Sequence, residues 1–151
     1  IHDFDWLRWT LGEINLVTSR STGLSNGTWP DYSLTTLSFE SGAISHTEAT
    51  WMDPAGFRVT FCVSGSEGMI EHDSRKTQIL KTTTTEKPTA NESPLSPSDD
   101  PFFCQLSAFV DSVRNGTPVP VSAEEGFRSL SVALAAVESA KTQKSIVPSK
   151  G

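Results

Sequence analysis

The sequence predicts an α+β domain: a largely antiparallel open sheet of about six strands, with helices on one face. Three observations lead there. The opening stretch, IHDFDWLRWTLG, spaces its apolar residues as a helix does. From residue 14 to residue 81 the period falls to two, in short runs parted by turn residues. From residue 100 two further helical runs follow, each with a capping residue before it. Consecutive strands on short turns make an antiparallel meander, and the segregated helices cover one side of it.

Ile1, Phe4, Leu7 and Leu11 form the apolar stripe of the first helix, and Gly12 supplies its stop. His2, Asp5, Trp6 and Trp9 share a different face, which reads as the wall of a cleft or an interface. Ile14–Thr18 is a short apolar run, and residues 23–31 (GLSNGTWPD) are loop chemistry. Leu34–Glu40 alternates, with Thr35, Leu37 and Phe39 on one side. Ser41-Gly42 turns the chain into a second strand over Ala43–Met52. Asp53-Pro54-Ala55-Gly56 is a strong turn signal. Phe57, Val59, Phe61 and Val63 then alternate with polar neighbours, predicting a strand over 57–64 with one buried face. Met69–His72 and Thr77–Lys81 complete the strands. Residues 82–100, rich in Thr, Pro and Ser, read as a long surface loop.

Asp100 caps the next helix and Pro101 fits its first position. Phe102, Leu106, Phe109, Val110 and Val113 make its stripe, and Asn115-Gly116 ends it. Ser122-Ala-Glu-Glu125 reads as a capping box opening the last helix. There Phe127, Leu130, Leu134 and Val137 are expected to face the core, and Ala133, Ala136 and Ala140 to allow close approach.

With 151 residues, one core of useful size is affordable in one domain. A net charge of −6 argues against nucleic acid as a partner, which calls for a basic face. No apolar run approaches the roughly 20 residues of a membrane span. Cys62 and Cys104 are expected to be two buried thiols in a reducing compartment, and with no secretory leader visible the expected location is cytoplasmic. The sequons at Asn26, Asn91 and Asn115 are then chance triplets.

The sequence holds no strand–G-x-G-x-x-G–helix unit, no H-x-x-x-H metal pair and no nucleophile elbow. His46 and His72 lie in strand-like runs and read as structural. Glu86-Lys87-Pro88 sits in a Thr/Pro-rich loop without a nucleotide-binding context, so no role is given to it. His2 has the side chain best suited to move a proton near neutrality. Trp29, Tyr32 and Trp51 offer rings that stack on a sugar or pack in an interface.

The pattern His2, Asp3, Asp5, Arg8, Trp9 resembles the H-D-x-D-x-x-R-W segment that opens the C-terminal domain of the glucose–fructose oxidoreductase/inositol dehydrogenase/MocA (Gfo/Idh/MocA) family. The run from Asp100 to Val147 is similar to that family's closing helix pair, with its D-P-F start and E-x-G-x-x-x-L-x-x-A-x-x-x-S stretch. The resemblance implies a dihydrodipicolinate-reductase-like C-terminal domain over residues 1–151, with the N-terminal Rossmann domain that binds NAD or NADP lying outside this sequence. It implies a sugar, cyclitol or related polyol as substrate, and it agrees with the strand pattern, where Ile44 and Met52 fall opposite Ala43, Ala49 and Trp51 and leave an apolar uncovered sheet face, in predicting a homo-dimer or tetramer through that face. It assigns catalysis to His2 and substrate binding to Asp3 and Asp5, with Trp29 and Tyr32 as further candidates, and no metal or cofactor ligand in this chain. The family's partner acid falls four residues before the histidine, ahead of Ile1. The competing expectation is a stand-alone ligand-binding or assembly module, which predicts a start codon near Ile1 rather than a glycine-rich βαβ unit upstream.

Overall fold

The computed structural model describes residues 1–23, 31–76, 80–86, 90–92 and 100–150, with backbone alone at 80 and 90–92. Among these residues three helices, α1 (His2–Leu11), α2 (Pro101–Asn115) and α3 (Ala123–Thr142), accompany seven strands. The strands are β1 (Ile14–Thr22), β2 (Tyr32–Phe39), β3 (Ile44–Thr50), β4 (Thr60–Gly65), β5 (Gly68–Asp73), β6 (Leu80–Thr84) and β7 (Ala90–Glu92). The α+β class and the antiparallel meander are as the sequence predicts. The strands divide into two sheets, β1-β2-β3 and β4-β5-β6-β7, rather than one sheet of about six. Each sheet belongs to its own compact unit, one of Ile1–Met52 with Pro118–Gly151 and the other of Asp53–Thr117.

The first unit holds the core: Leu7, Ile14, Val17, Leu37, Phe39, Val132, Ala135 and Ala136. Register explains it. Val17 pairs with Leu37 and Ser19 with Thr35, and all four are buried on the sheet face that meets α3. The alternate residues Leu16, Leu34 and Ile44 form the other face and stand exposed, Ile44 by 67%. Among the described residues of this unit, the helices lie against one face of the sheet, as expected. The outer edge of β1 is closed by the chain returning after α3: Val17 and Ile146 exchange backbone hydrogen bonds at 2.8 and 2.9 Å.

The face of α3 that meets the sheet is the small-residue one. Ser129, Val132, Ala135, Ala136 and Ser139 are buried, whereas Phe127, Leu130, Leu134 and Val137, expected in the core, are 45–60% exposed. Serine and alanine let the helix approach β1 closely enough for the Ser19 amide to donate to Ser139 Oγ at 2.8 Å. The larger residues cannot occupy so narrow a gap. In the second unit, α2 leaves its stripe outside too, with Phe102 75% and Val113 66% exposed.

The caps follow the sequence. Asp100 accepts from the Phe103 amide at 2.8 Å, and Pro101 opens α2. Gly116, at φ 64, ends that helix in the left-handed conformation that glycine adopts without strain. Ser122 accepts from the Glu125 amide at 3.2 Å, but the Glu125 carboxylate, expected to close a capping box, bonds to Arg8.

Three further expectations are corrected. The strand predicted over 57–64 begins at Thr60, leaving Phe57 90% exposed. The Ser74 hydroxyl takes the Val59 amide, which ends the regular pairing with β5 there. The stretch 82–100 is not wholly loop, since β6 runs to Thr84 and β7 spans Ala90–Glu92, placing Asn91 in a strand. Cys62 and Cys104 are exposed free thiols rather than buried ones. Cys62 lies on the β4 face opposite the half-buried Phe61 and Val63.

Candidate active site

α1 carries most of the predicted site. Gly12, at φ 96, ends the helix where the sequence indicates and returns its amide to the Arg8 carbonyl at 3.0 Å. Acidic Asp3 and Asp5 lie in the first turn, where the helix dipole favours them. Leu7 is buried and Phe4 and Leu11 pack against the core, so the stripe read from the sequence faces inward except at Ile1, which is exposed; Trp6, expected on the cleft face, packs against the core as well. His2 and Asp3 are exposed on the first turn and Asp5 is half-buried. Trp9 is 83% exposed.

Sequence reasoning missed a polar cluster beneath this face. Arg8 is only 6% exposed. Its Nη1 donates to Ser129 Oγ at 2.9 Å and to the Glu125 carbonyl at 3.3 Å. Its Nη2 donates to Glu13 Oε1 at 2.8 Å and Glu125 Oε2 at 2.9 Å. The Ser129 hydroxyl in turn donates to Asp5 Oδ1 at 2.6 Å. Arg128 extends the network to Glu124 at 2.5 Å and Glu13 at 3.4 Å. Burial works against the Arg8 charge, but the hydrogen bonds to Glu13 and Glu125 and their negative charges outweigh it and hold its pKa above the ordinary value. The Arg8 hydrogen bond likewise holds the Glu13 carboxyl below its ordinary range. In sequence only the R-W pair pointed here, because a lone charge on an amphipathic helix reads as solvated.

Beside this cluster lies a cleft of about 210 Å³ whose lining includes Glu13, Glu40, Arg128 and Lys150. Its charges pair within the wall, Lys150 to Glu40 at 2.7 Å and Arg128 to Glu13.

Tyr32 is not brought to this site. It begins β2 on the same sheet face as Leu34, away from α3, and burial together with a Glu48 hydrogen bond pushes its phenol upward. Trp29 lies outside the described residues. Trp51 is 90% exposed beyond β3. His46 Nδ1 pairs with Thr36 Oγ1 at 3.0 Å, and in the other unit His72 stacks on Phe61. Among the described residues no group of three or more His, Cys, Asp or Glu side chains is arranged to hold a metal. No described helix is long and apolar enough to cross a membrane.

The fold has solved counterparts. A levoglucosan dehydrogenase in complex with NADH and L-sorbose superposes with a TM-score of 0.84 at 18% identity, over 99% of this chain and 48% of that one. An oxidoreductase from Agrobacterium radiobacter with NAD+, L-tartaric acid and magnesium gives 0.80 at 18%, over 97% and 46%. The WlbA dehydrogenase of Bordetella pertussis with NADH and UDP-GlcNAcA gives 0.77 at 19%, over 98% and 44%. The chain thus spans about half the length of these proteins. No curated protein matches it in sequence. The family model described as "Oxidoreductase family, C-terminal alpha/beta domain" matches residues 1–148, which takes in both the α1 motif and the closing helices, and the chain belongs to this Gfo/Idh/MocA family.

Proposed function

We propose that residues 1–151 are the substrate-side and oligomerisation domain of an NAD- or NADP-dependent oxidoreductase acting on a sugar, cyclitol or related polyol. In this reading a Rossmann domain precedes it in the full protein, which works in the cytoplasm. The family match over residues 1–148, with His2, Asp3 and Asp5 together on α1, carries the reading. The sugar-type ligands and nicotinamide cofactors held by the levoglucosan dehydrogenase and WlbA structures favour it.

Oxidising an alcohol needs a base at its oxygen, and in this reading His2, exposed on the first turn of α1, fills that role. Asp3 and Asp5, one position and one helical turn away, accept hydrogen bonds from neighbouring substrate hydroxyls. In this reading the dinucleotide, and with it the hydride acceptor, is held by the glycine-rich βαβ unit of the preceding Rossmann domain. The exposed sheet face bearing Leu16, Leu34 and Ile44 serves a second copy.

The test is expression of the complete reading frame and an assay of NAD+ and NADP+ reduction across sugars, cyclitols and sugar acids. Reduction with at least one of them is expected. The reading fails if none is oxidised and no glycine-rich βαβ unit lies upstream.

A further inference from the structure

Arg8 is more deeply buried than its neighbours Phe4 and Trp6, although an unpaired guanidinium in that position is costly. Four of its N–H groups are engaged, and every partner, Glu13, Glu125 and Ser129, is polar. α1 is therefore fixed to α3 by directional bonds as well as by the apolar contacts of Leu7. Apolar packing alone tolerates a small roll of one helix on another, whereas a planar fork bonded on both ends does not. The cluster also reaches the predicted site. Ser129, itself 3% exposed, accepts from Arg8 and passes its own proton toward Asp5. With one side fully spoken for, that hydroxyl has a single direction left in which to donate. Asp5 is held through Oδ1. Asp3, exposed on the same turn, has no such support.

We propose that Arg8 is a positioning residue: through Ser129 it fixes the rotamer of Asp5, and through Glu13 and Glu125 the rotation of α1, so that His2 and Asp5 meet the substrate in one orientation. The proposal rests on the reading of the α1 face as the substrate side. The guanidinium touches no reacting atom. It acts only by removing the freedom of the groups that do, a contribution of the orientation type.

The test uses Arg8→Met, which keeps the length of the side chain, and Ser129→Ala, which removes only the hydroxyl. The three-bond couplings that report χ1 of Asp5 should show one rotamer in the parent chain and averaging in both variants, with Asp3 unchanged. Amide exchange in α1 should accelerate about tenfold in Arg8→Met while β1 and β2 keep their protection. In the complete enzyme the same substitution should lower kcat about tenfold with KM for the nicotinamide cofactor unchanged. An Asp5 side chain that stays in one rotamer in Ser129→Ala overturns the proposal. So does a loss of protection shared equally by α1, β1 and β2, which makes Arg8 merely structural, and so does an unchanged kcat in an active enzyme. If the couplings and exchange behave as expected but the parent oxidises no polyol, the positioning stands and the substrate reading fails.

Discussion

The Ser139 hydroxyl, with no exposed surface, accepts the Ser19 amide hydrogen at 2.8 Å and donates to the Lys144 carbonyl at 2.5 Å. One side chain thereby satisfies a strand amide and a carbonyl beyond the end of α3. Ser139→Ala leaves both groups without that partner, and for the buried Ser19 amide an unsatisfied donor costs about 1–3 kcal/mol. The denaturant midpoint should fall accordingly with the slope unchanged. A variant as stable as the parent shows that water or a backbone shift replaces the hydroxyl.

Gly68 opens β5 with no room for a side chain. A Cβ built there lies 2.2 Å from the Thr83 carbonyl oxygen, a backbone atom fixed by the β5–β6 pairing. Gly68→Ala should destabilise the second unit by about 1–3 kcal/mol, the usual range for forced overpacking. Gly65→Ala is the matched control, since nothing lies within 4 Å of its Cβ position. Equal effects of the two substitutions rule out the clash.

Acid should loosen the second unit through Asp73. The hydrogen bonds from Arg58, at 2.7 and 3.1 Å, and the Arg75 amide hold its carboxyl at about 2. A depressed folded-state pKa means that the charged form stabilises the fold. That contribution is complete above the unfolded carboxylate pKa of roughly 3.9 and disappears as the pH falls through about 2. Asp73→Asn should flatten the stability profile across that window and leave it unchanged in slope near neutrality. A parallel acid limb in parent and variant assigns the loss to other carboxylates.

His2→Ala in the complete enzyme should reduce kcat by about 10²–10⁴-fold, the usual share of a general base. Affinity for the nicotinamide cofactor should hold. An unchanged rate at saturating polyol returns His2 to an ordinary exposed residue.

The open sheet face predicts association. Leu16, Leu34 and Ile44 line it beside Thr18, Thr36 and His46, a surface of the mixed kind that pairs twofold. Sedimentation at micromolar concentration should give at least a dimer, burying more than about 1,000 Å². Ile44→Lys should shift it toward monomer. A 16 kDa species in the parent places the interface elsewhere.

Local chemistry was legible and long-range chemistry was not. Gly12, Asp100, Pro101, Ser122 and Gly116 mark their helix ends in sequence because capping involves residues within one turn of each other. The strands of the first unit were legible because Leu37 and Phe39 alternate with polar neighbours. Which stripe of α3 faces the sheet was not: hydrophobic periodicity favours Phe127, Leu130, Leu134 and Val137, while the spacing to β1 selects serine and alanine. The burial of Arg8 was equally hidden, since its partners Glu125 and Ser129 are 117 and 121 positions away. Phe57 and Val59 alternate as strand residues do, but the Ser74 side chain, not a neighbouring backbone carbonyl, receives the Val59 amide.

The closed edge of β1 gives the first sheet a direction of growth. Val17 and Ser19 spend their amide hydrogens on Ile146 and Ser139, leaving β1 no free donor at those positions for an incoming strand. Among the described residues, a fourth strand joining this sheet has its place along β3, so any lengthening of the ladder by another chain proceeds from one side alone and ends at α3.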